Sequence, residues 1–398
     1  MNETAKNAKI SGGRPFFGSA ELSGDPVEAV ILISLAVVKP GKTKIMNVSR
    51  CAYVMRFIEI VRFLGVRIDW IDEKTISVDT SNNLDANLVQ FYEKDDQPYL
   101  KLLIPGLLYR NGECVVHPKM IEQIKLYKSL EFTVERSYNI ITIKLPASAS
   151  GLTKKHFDIR NYGTLEAVSS LMLKLISSNV DILYDEENTF VRQFDELLSE
   201  DGRDKYICGD NSFEFLLLSY LAIFSDGNVD VGISDLSGHL KYLLMLNKAG
   251  ICYESEKNSL KLWKESPSEN PDYYDFSGFS AAEVSYLLLI FSQIFQKSIQ
   301  VLCDKSHMIE EICTELNMLG FKLHFEPVKD LLRVIIKPFS PEAPIKAVIE
   351  DPVLSGVLLA TAITAPGTSR ISGINVLSAY IPDMEEKLRN LSVSISFS

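Results

Sequence analysis

Residues 29–48 read AVILISLAVVKPGKTKIMNV: an apolar run, a Lys-Pro-Gly turn and a short alternating stretch. A helix through the apolar run has no polar face, so it is expected to lie buried on every side. The pattern returns as AVSSLMLKLISSNVDILYD from Ala167, FLLLSYLAIFSDGNVDVGI from Phe215, EVSYLLLIFSQIFQKSIQVLCD from Glu283 and VLSGVLLATAITAPGTSRISGI from Val353. A second pattern, an amphipathic helix running into a strand, follows most copies. It reads VMRFIEIVRFLGVRIDW from Val54, MIEQIKLYKSLEFTVER from Met120, HLKYLLMLNKAGICYES from His239, MIEEICTELNMLGFKLHF from Met308 and DMEEKLRNLSVSISFS from Asp383. Weaker copies cover 100–116 and 190–206. Six units recur about every 60–70 residues, longer than the common solenoid periods.

Each half-unit is a helix followed by a strand, which predicts parallel or mixed sheets covered by helices. The first helix is apolar all round, whereas the second carries charges, as in RFIEIVRF, EEICTEL and DMEEKLRN. Helices inside and sheets outside follow, the reverse of the usual α/β barrel. The expected fold class is therefore α/β: two inside-out, barrel-like domains, with six repeats of mixed sheet packed around buried helices. Hydrophilic joints near Pro26 and at YICGDNS, Tyr206–Ser212, set the expected boundaries. One domain spans 26–208 and the other combines 1–25 with 209–398, with a double hinge near 24–27 and 207–212.

Composition narrows the function classes. The chain has 398 residues, 46% hydrophobic and 23% charged, with a net charge of −11. That balance speaks against nucleic acid as a partner, since such binding neutralises phosphates with basic patches. The six cysteines form no CxxC pair, which argues against a zinc ribbon or redox pair. His156, His239, His307 and His324 lack ligand spacing, so no metal is expected. The run AVILISLAVV is too short to span a bilayer, and no secretory signal pattern opens the sequence. The expectation is a cytoplasmic protein with reduced thiols and no membrane contact.

Local motifs add little chemistry alone. KPGKTK would need Gly at position 36 to be a P-loop, and Ala36 stands there. Cys114 and His117 are spaced like a nucleophile and base, but no third orienting group is near; a strand cysteine and a turn histidine is the plainer reading. The acidic stretch 184–202 reads as a surface helix. At ELSGDPVEAV, Glu21 to Val30, Ser23-Gly24-Asp25 is turn chemistry and Pro26 suits the first helical position. Such an N-terminus is a natural anion site, yet this one carries Asp25 and Glu28 rather than a cation.

The sequence resembles the enolpyruvyl transferases. ISGGRPFFGSAELSG, and KTKIMNVSRC followed by VMRFIEIVRFLGVRI, are similar to the branch acting on UDP-N-acetylglucosamine. GDNSFEFLLLSYLAI, CTELNMLGFKL, APGTSRISGI and AYIPDMEEKL are similar to the 3-phosphoshikimate branch. The resemblance covers nearly the whole chain. It implies two inside-out domains joined by a double hinge, with phosphoenolpyruvate held by Lys and Arg side chains in an interdomain cleft. A general acid protonates its methylene carbon, and the substrate hydroxyl attacks the adjacent carbon.

Where the resemblance places cations, this chain has Pro26 and Glu28, Pro98, His117, Met308, Val353 and Ala379. By the same resemblance the catalytic candidates are Glu283, Asp351 and Cys114. The substrate-binding candidates are Lys101, Lys119, Arg160, Asn161, Thr164 and Asp210. No cofactor is implied. The expected partner is a small anionic metabolite or a nucleotide sugar, with oligomeric state open. The leading expectation is a diverged homologue without the usual transfer activity, acting as a ligand-binding, regulatory or scaffold protein. The alternative is an active transferase using displaced cations: Lys101, Lys119, Arg160 and Arg110.

Overall fold

The computed structural model of this chain describes residues 7–38, 40–92, 98–120, 127–128, 130–145, 155–160, 162–176, 180–184, 189–199, 204–225, 227–265, 273–348 and 351–397. Its contacts divide the chain into two compact units, Gly24–Cys208 and Met1–Ser23 with Gly209–Ser398. Each has its own apolar core. Most of the helix expected at 120–130 lies outside the described residues.

In the first unit, helix α1 (Pro26–Val38) is buried except at Val27 and Glu28. Its apolar run has no solvent face to offer, so the sheets must close around it. The strand Lys42–Met46 follows. Helix α2 (Ala52–Phe63) buries Val54, Phe57, Ile58, Ile60 and Val61 and shows its charges to solvent. Helices α3 (Leu103–Asn111) and α4 (Thr164–Leu171) complete a buried trio, with α3 packed on both α1 and α4. Gly106 makes the α1 approach possible: a Cβ there would lie 3.1 Å from Val37 Cγ1. The acidic stretch forms α5 (Thr189–Ser199), with Val191 and Phe194 buried.

In the second unit the buried trio is α6 (Ser212–Phe224), α8 (Ala281–Ile294) and α10 (Pro352–Thr364), each packed on the other two. Amphipathic α7 (Leu240–Lys248), α9 (His307–Met318) and α11 (Met384–Asn390) follow in turn. The trio runs parallel. A Cβ on Gly356, in the second turn of α10, would meet Tyr286 Oη and Phe213 Cζ near the starts of α8 and α6. At the other end, Tyr220 Oη lies 2.9 Å from Thr364 Oγ1.

Among the described residues, three sheets wrap each trio. The four-stranded sheets share one plan, a parallel pair at one edge followed by antiparallel strands. Three are completed across repeats, which a repeat-by-repeat reading does not anticipate. Gly18–Glu21, ahead of the first repeat, pairs in parallel with Val229–Gly232 of the fourth. Lys205–Ile207, after the third repeat, pairs in parallel with Lys42–Met46 of the first. Asn7–Gly12 inserts between Gly367–Ser372 and Ser394–Phe397, filling the sixth repeat's inner position.

Candidate functional site

The N-termini of the buried helices are the natural ligand-facing features of such a fold, since unpaired N–H groups and the helix dipole gather there. In this chain four of the six, those of α1, α6, α8 and α10, are capped by the protein's own side chains. Asp25 Oδ1 accepts from the backbone N–H of Val27 and Glu28, both at 2.9 Å, and caps α1. Asn211 Oδ1 caps α6 through Phe213 and Glu214. Ser280 and Glu283 form a capping box on α8. Asp351 Oδ1 accepts from Leu354 N at 3.0 Å on α10.

Glu214 is the most deeply held of these acids, its side chain only 1% exposed. Its Oε2 accepts from Ser23 N at 2.9 Å and Ser23 Oγ at 2.6 Å, and its Oε1 pairs with Lys387 of α11. Asn211 N donates back to Ser23 O at 2.8 Å. Both chain segments that leave this unit are thus clamped on one buried carboxylate and its neighbour. On the first unit's side, Gly24 packs against the Asn47 carbonyl, which a Cβ would meet at 1.5 Å. Asn47 Nδ2 in turn donates to Cys208 O at 3.1 Å. The glycine of the Ser-Gly turn is there because only a hydrogen fits.

The candidate cations are drawn into the protein's own contacts. Lys101, in the 3₁₀ turn Pro98–Leu102, makes an ion pair with Glu166 in the first turn of α4. Burial raises the Glu166 carboxyl, but hydrogen bonds from Lys101 and from its own N–H, with the Lys101 charge, outweigh it and hold the acid below its ordinary range. Arg160 Nε reaches Asp158 at 2.9 and 3.1 Å. That hydrogen bonding lowers Asp158 to about 2. Arg110 Nη2 donates to the carbonyls of Thr80 and Asn82, at 2.8 and 3.0 Å. Lys119 is exposed on the turn Pro118–Met120, its N–H directed to His117 Nδ1.

The remaining candidates have equally local roles. Thr164 is the first residue of α4. Asp210 is buried and accepts from the N–H groups of Ser234 and Asp235 at 2.5 and 3.2 Å. Asn161 lies outside the described residues. Cys114 is fully buried in the strand Glu113–Val116, and burial pushes its thiol up, the opposite of what a nucleophile needs. All six cysteines are free. Asp351 also borders a groove of about 520 Å³ with His307, Met308, Glu311, Glu315 and Leu354. Among the described residues, no group of three His, Cys, Asp or Glu is placed to hold a metal. Among them, too, no helix is long and apolar enough to cross a membrane.

Asn211, Glu214 and Lys387 are absent from the sequence-derived candidates. A signal for the first two exists. Asp25, Gly163, Asn211 and Ser280 each stand three residues before a Glu, at the start of a buried helix. At Asp25, Asn211 and Ser280, whose side chains can cap, that is capping spacing. Lys387 has no such signal, because its partner is 173 residues away.

The chain superposes on NikO, an enolpyruvyl transferase from Streptomyces tendae, with a TM-score of 0.78 and 15% identity over 99% of both chains. The chain has the enolpyruvyl transferase fold. An EPSP synthase from Acinetobacter baumannii matches with a TM-score of 0.71 and 13% identity, over 99% of this chain and 100% of that one. In sequence, UDP-N-acetylglucosamine 1-carboxyvinyltransferase 2 of Clostridium acetobutylicum is 27% identical over 177 residues. That match spans 41% of this chain and 40% of the relative's length. No protein-family model matches the chain.

Proposed function

We propose that this chain is an enolpyruvyl transferase homologue that binds a small metabolite or nucleotide sugar without carrying out the usual transfer from phosphoenolpyruvate. The observation that carries this reading is the set of acids at the buried-helix N-termini: Asp25 and Glu28, Glu166, Glu214, Glu283, and Asp351. Phosphoenolpyruvate brings a phosphate and a carboxylate, and desolvating them requires paired cations. Here the dipoles that would help already face the protein's own carboxylates, and Lys101 is bound to Glu166. The partial match to a UDP-N-acetylglucosamine enzyme supports a nucleotide sugar as ligand class.

A second reading is favoured by the names of the similar proteins, all of them transferases of this type. In it, Lys101 leaves Glu166 to meet substrate, with Lys119, Arg110 and Arg160 assisting. Phosphate release from phosphoenolpyruvate, with UDP-N-acetylglucosamine or shikimate 3-phosphate as acceptor, separates the two. The first reading expects no turnover above background and a rise in melting temperature with the nucleotide sugar alone. Turnover of about 1 per second or faster, an ordinary enzymatic rate, overturns it.

A further inference from the structure

The opposite end of the second unit's trio carries a different chemistry. The last turns of α6, α8 and α10 open onto a cavity of about 740 Å³, within the size range of small-molecule sites. Its polar floor includes Gln293 and Thr364, both hydrogen-bonded to the fully buried Tyr220 hydroxyl, Gln293 Nε2 at 3.0 Å and Thr364 Oγ1 at 2.9 Å. Aromatic faces come from Phe224 and from Phe17, which is 59% exposed.

Two cations face the cavity, Arg14 and Lys264. Lys264 Nζ sits 4.0 Å above the Phe224 ring. Arg14 makes no ion pair among the described residues. No carboxylate occurs among the described lining residues, in a chain whose net charge is −11. Both cations complement the negative ends of three helices. That role needs only proximity to the last carbonyls; it does not call for an aromatic-walled cavity in front of them.

The segment carrying Arg14 is held in place rather than left to move. A Cβ on Gly12 would lie 2.2 Å from Ala362 O and 2.4 Å from Ala365 O, so the backbone lies directly against the end of α10. Gly13 adopts φ +69°, and its N–H donates to Ile363 O at 3.0 Å. Phe17 N donates to Leu391 O at 3.1 Å. The backbone that carries Arg14 is thereby fixed beside the cavity, and its guanidinium offers a planar fork suited to an oxyanion.

We propose that this cavity binds an aromatic phosphate of mononucleotide size. The phosphate meets Arg14 and Lys264, the flat ring lies against the exposed Phe17, and Gln293 and Thr364 bond to its polar edge. The site belongs wholly to the second unit and stands apart from the helix N-termini.

Calorimetric titration of the full chain with adenosine 5′-monophosphate tests it, with adenosine and inorganic phosphate as separate arms. The expected result is one saturable site for the nucleotide, with each fragment at least about tenfold weaker because it engages one half of the cavity. Arg14→Gln and Lys264→Gln each weaken nucleotide binding about tenfold, as loss of a charge-assisted contact should, and Phe17→Ala weakens it severalfold. Lys101→Met leaves it unchanged. The proposal is overturned if the nucleotide shows no saturable binding up to about 5 mM, or if both charge variants bind it like the parent. It is equally overturned if phosphate alone binds as tightly as the nucleotide.

Discussion

The two ends of the helix trio in the second unit meet the same electrostatic demand in opposite ways. At the N-terminal end, dipole and N–H groups are answered by acids and amides folded into the protein, Glu214 being 1% exposed. At the C-terminal end the complementary charges, Arg14 and Lys264, line an open cavity of about 740 Å³. An interaction closed inside the fold serves stability and leaves little for a ligand. One left facing a cavity can do both. The first unit repeats the closed solution, with Asp25 on α1 and Glu166 tied to Lys101.

The contrast can be broken hardest at Glu214. Replacing it with alanine leaves the half-buried Lys387 without its carboxylate and Ser23 without its acceptor. Removing one partner of such a pair costs about 3–5 kcal/mol, read from the midpoint of urea unfolding. A loss below about 1 kcal/mol would mean this end is no more closed than an ordinary surface.

His239 gives a pH-dependent version of the same test. It stacks on Phe215 in the first turn of α6, centroids 3.8 Å apart. Desolvation lowers its pKa from 6.5 to about 4, against the attraction of Asp210 and Asp235. Between those values the unfolded chain takes up a proton that the folded chain refuses. Stability therefore declines as pH falls from 6.5 towards 4 and is fully present above 6.5. The contribution is on the order of 3 kcal/mol. In His239→Gln the slope of stability against pH over this window should flatten; an unchanged slope would assign the acid sensitivity elsewhere.

The smallest effect is expected at Asp25. Asp25→Ala removes one N-cap and should cost about 1 kcal/mol, seen as a small drop in melting temperature. If nucleotide-sugar affinity rises at the same time, the acid was opposing a ligand there. If it does not, the cap is structural.

Much of the architecture was legible in residue periodicity. All-round apolar runs such as 30–38 and 215–223 can only be interior helices, and their recurrence predicts the inside-out arrangement the sheets display. The cross-repeat strands were not legible. Asn7–Gly12 alternates like any half-buried strand, and nothing local says that it completes a sheet more than 350 residues away. Pro26, Val353 and Ala379 could be read directly at positions where the family resemblance leads one to expect cations. The engagement of the cations that remain could not. Lys101 meets Glu166, 65 residues on, because the 3₁₀ turn Pro98–Leu102 and α4 pack side by side.

By itself, the sequence determined which helices are buried, because burial follows from the absence of a polar face and requires no partner to be named. The Ser280–Glu283 capping box on α8 is likewise local to the sequence. Tertiary structure alone decided which charges are consumed internally and which face a cavity. Ion pairs such as Glu214 with Lys387 depend on distances between remote segments, and the Coulomb energy that chooses them acts through space rather than along the chain.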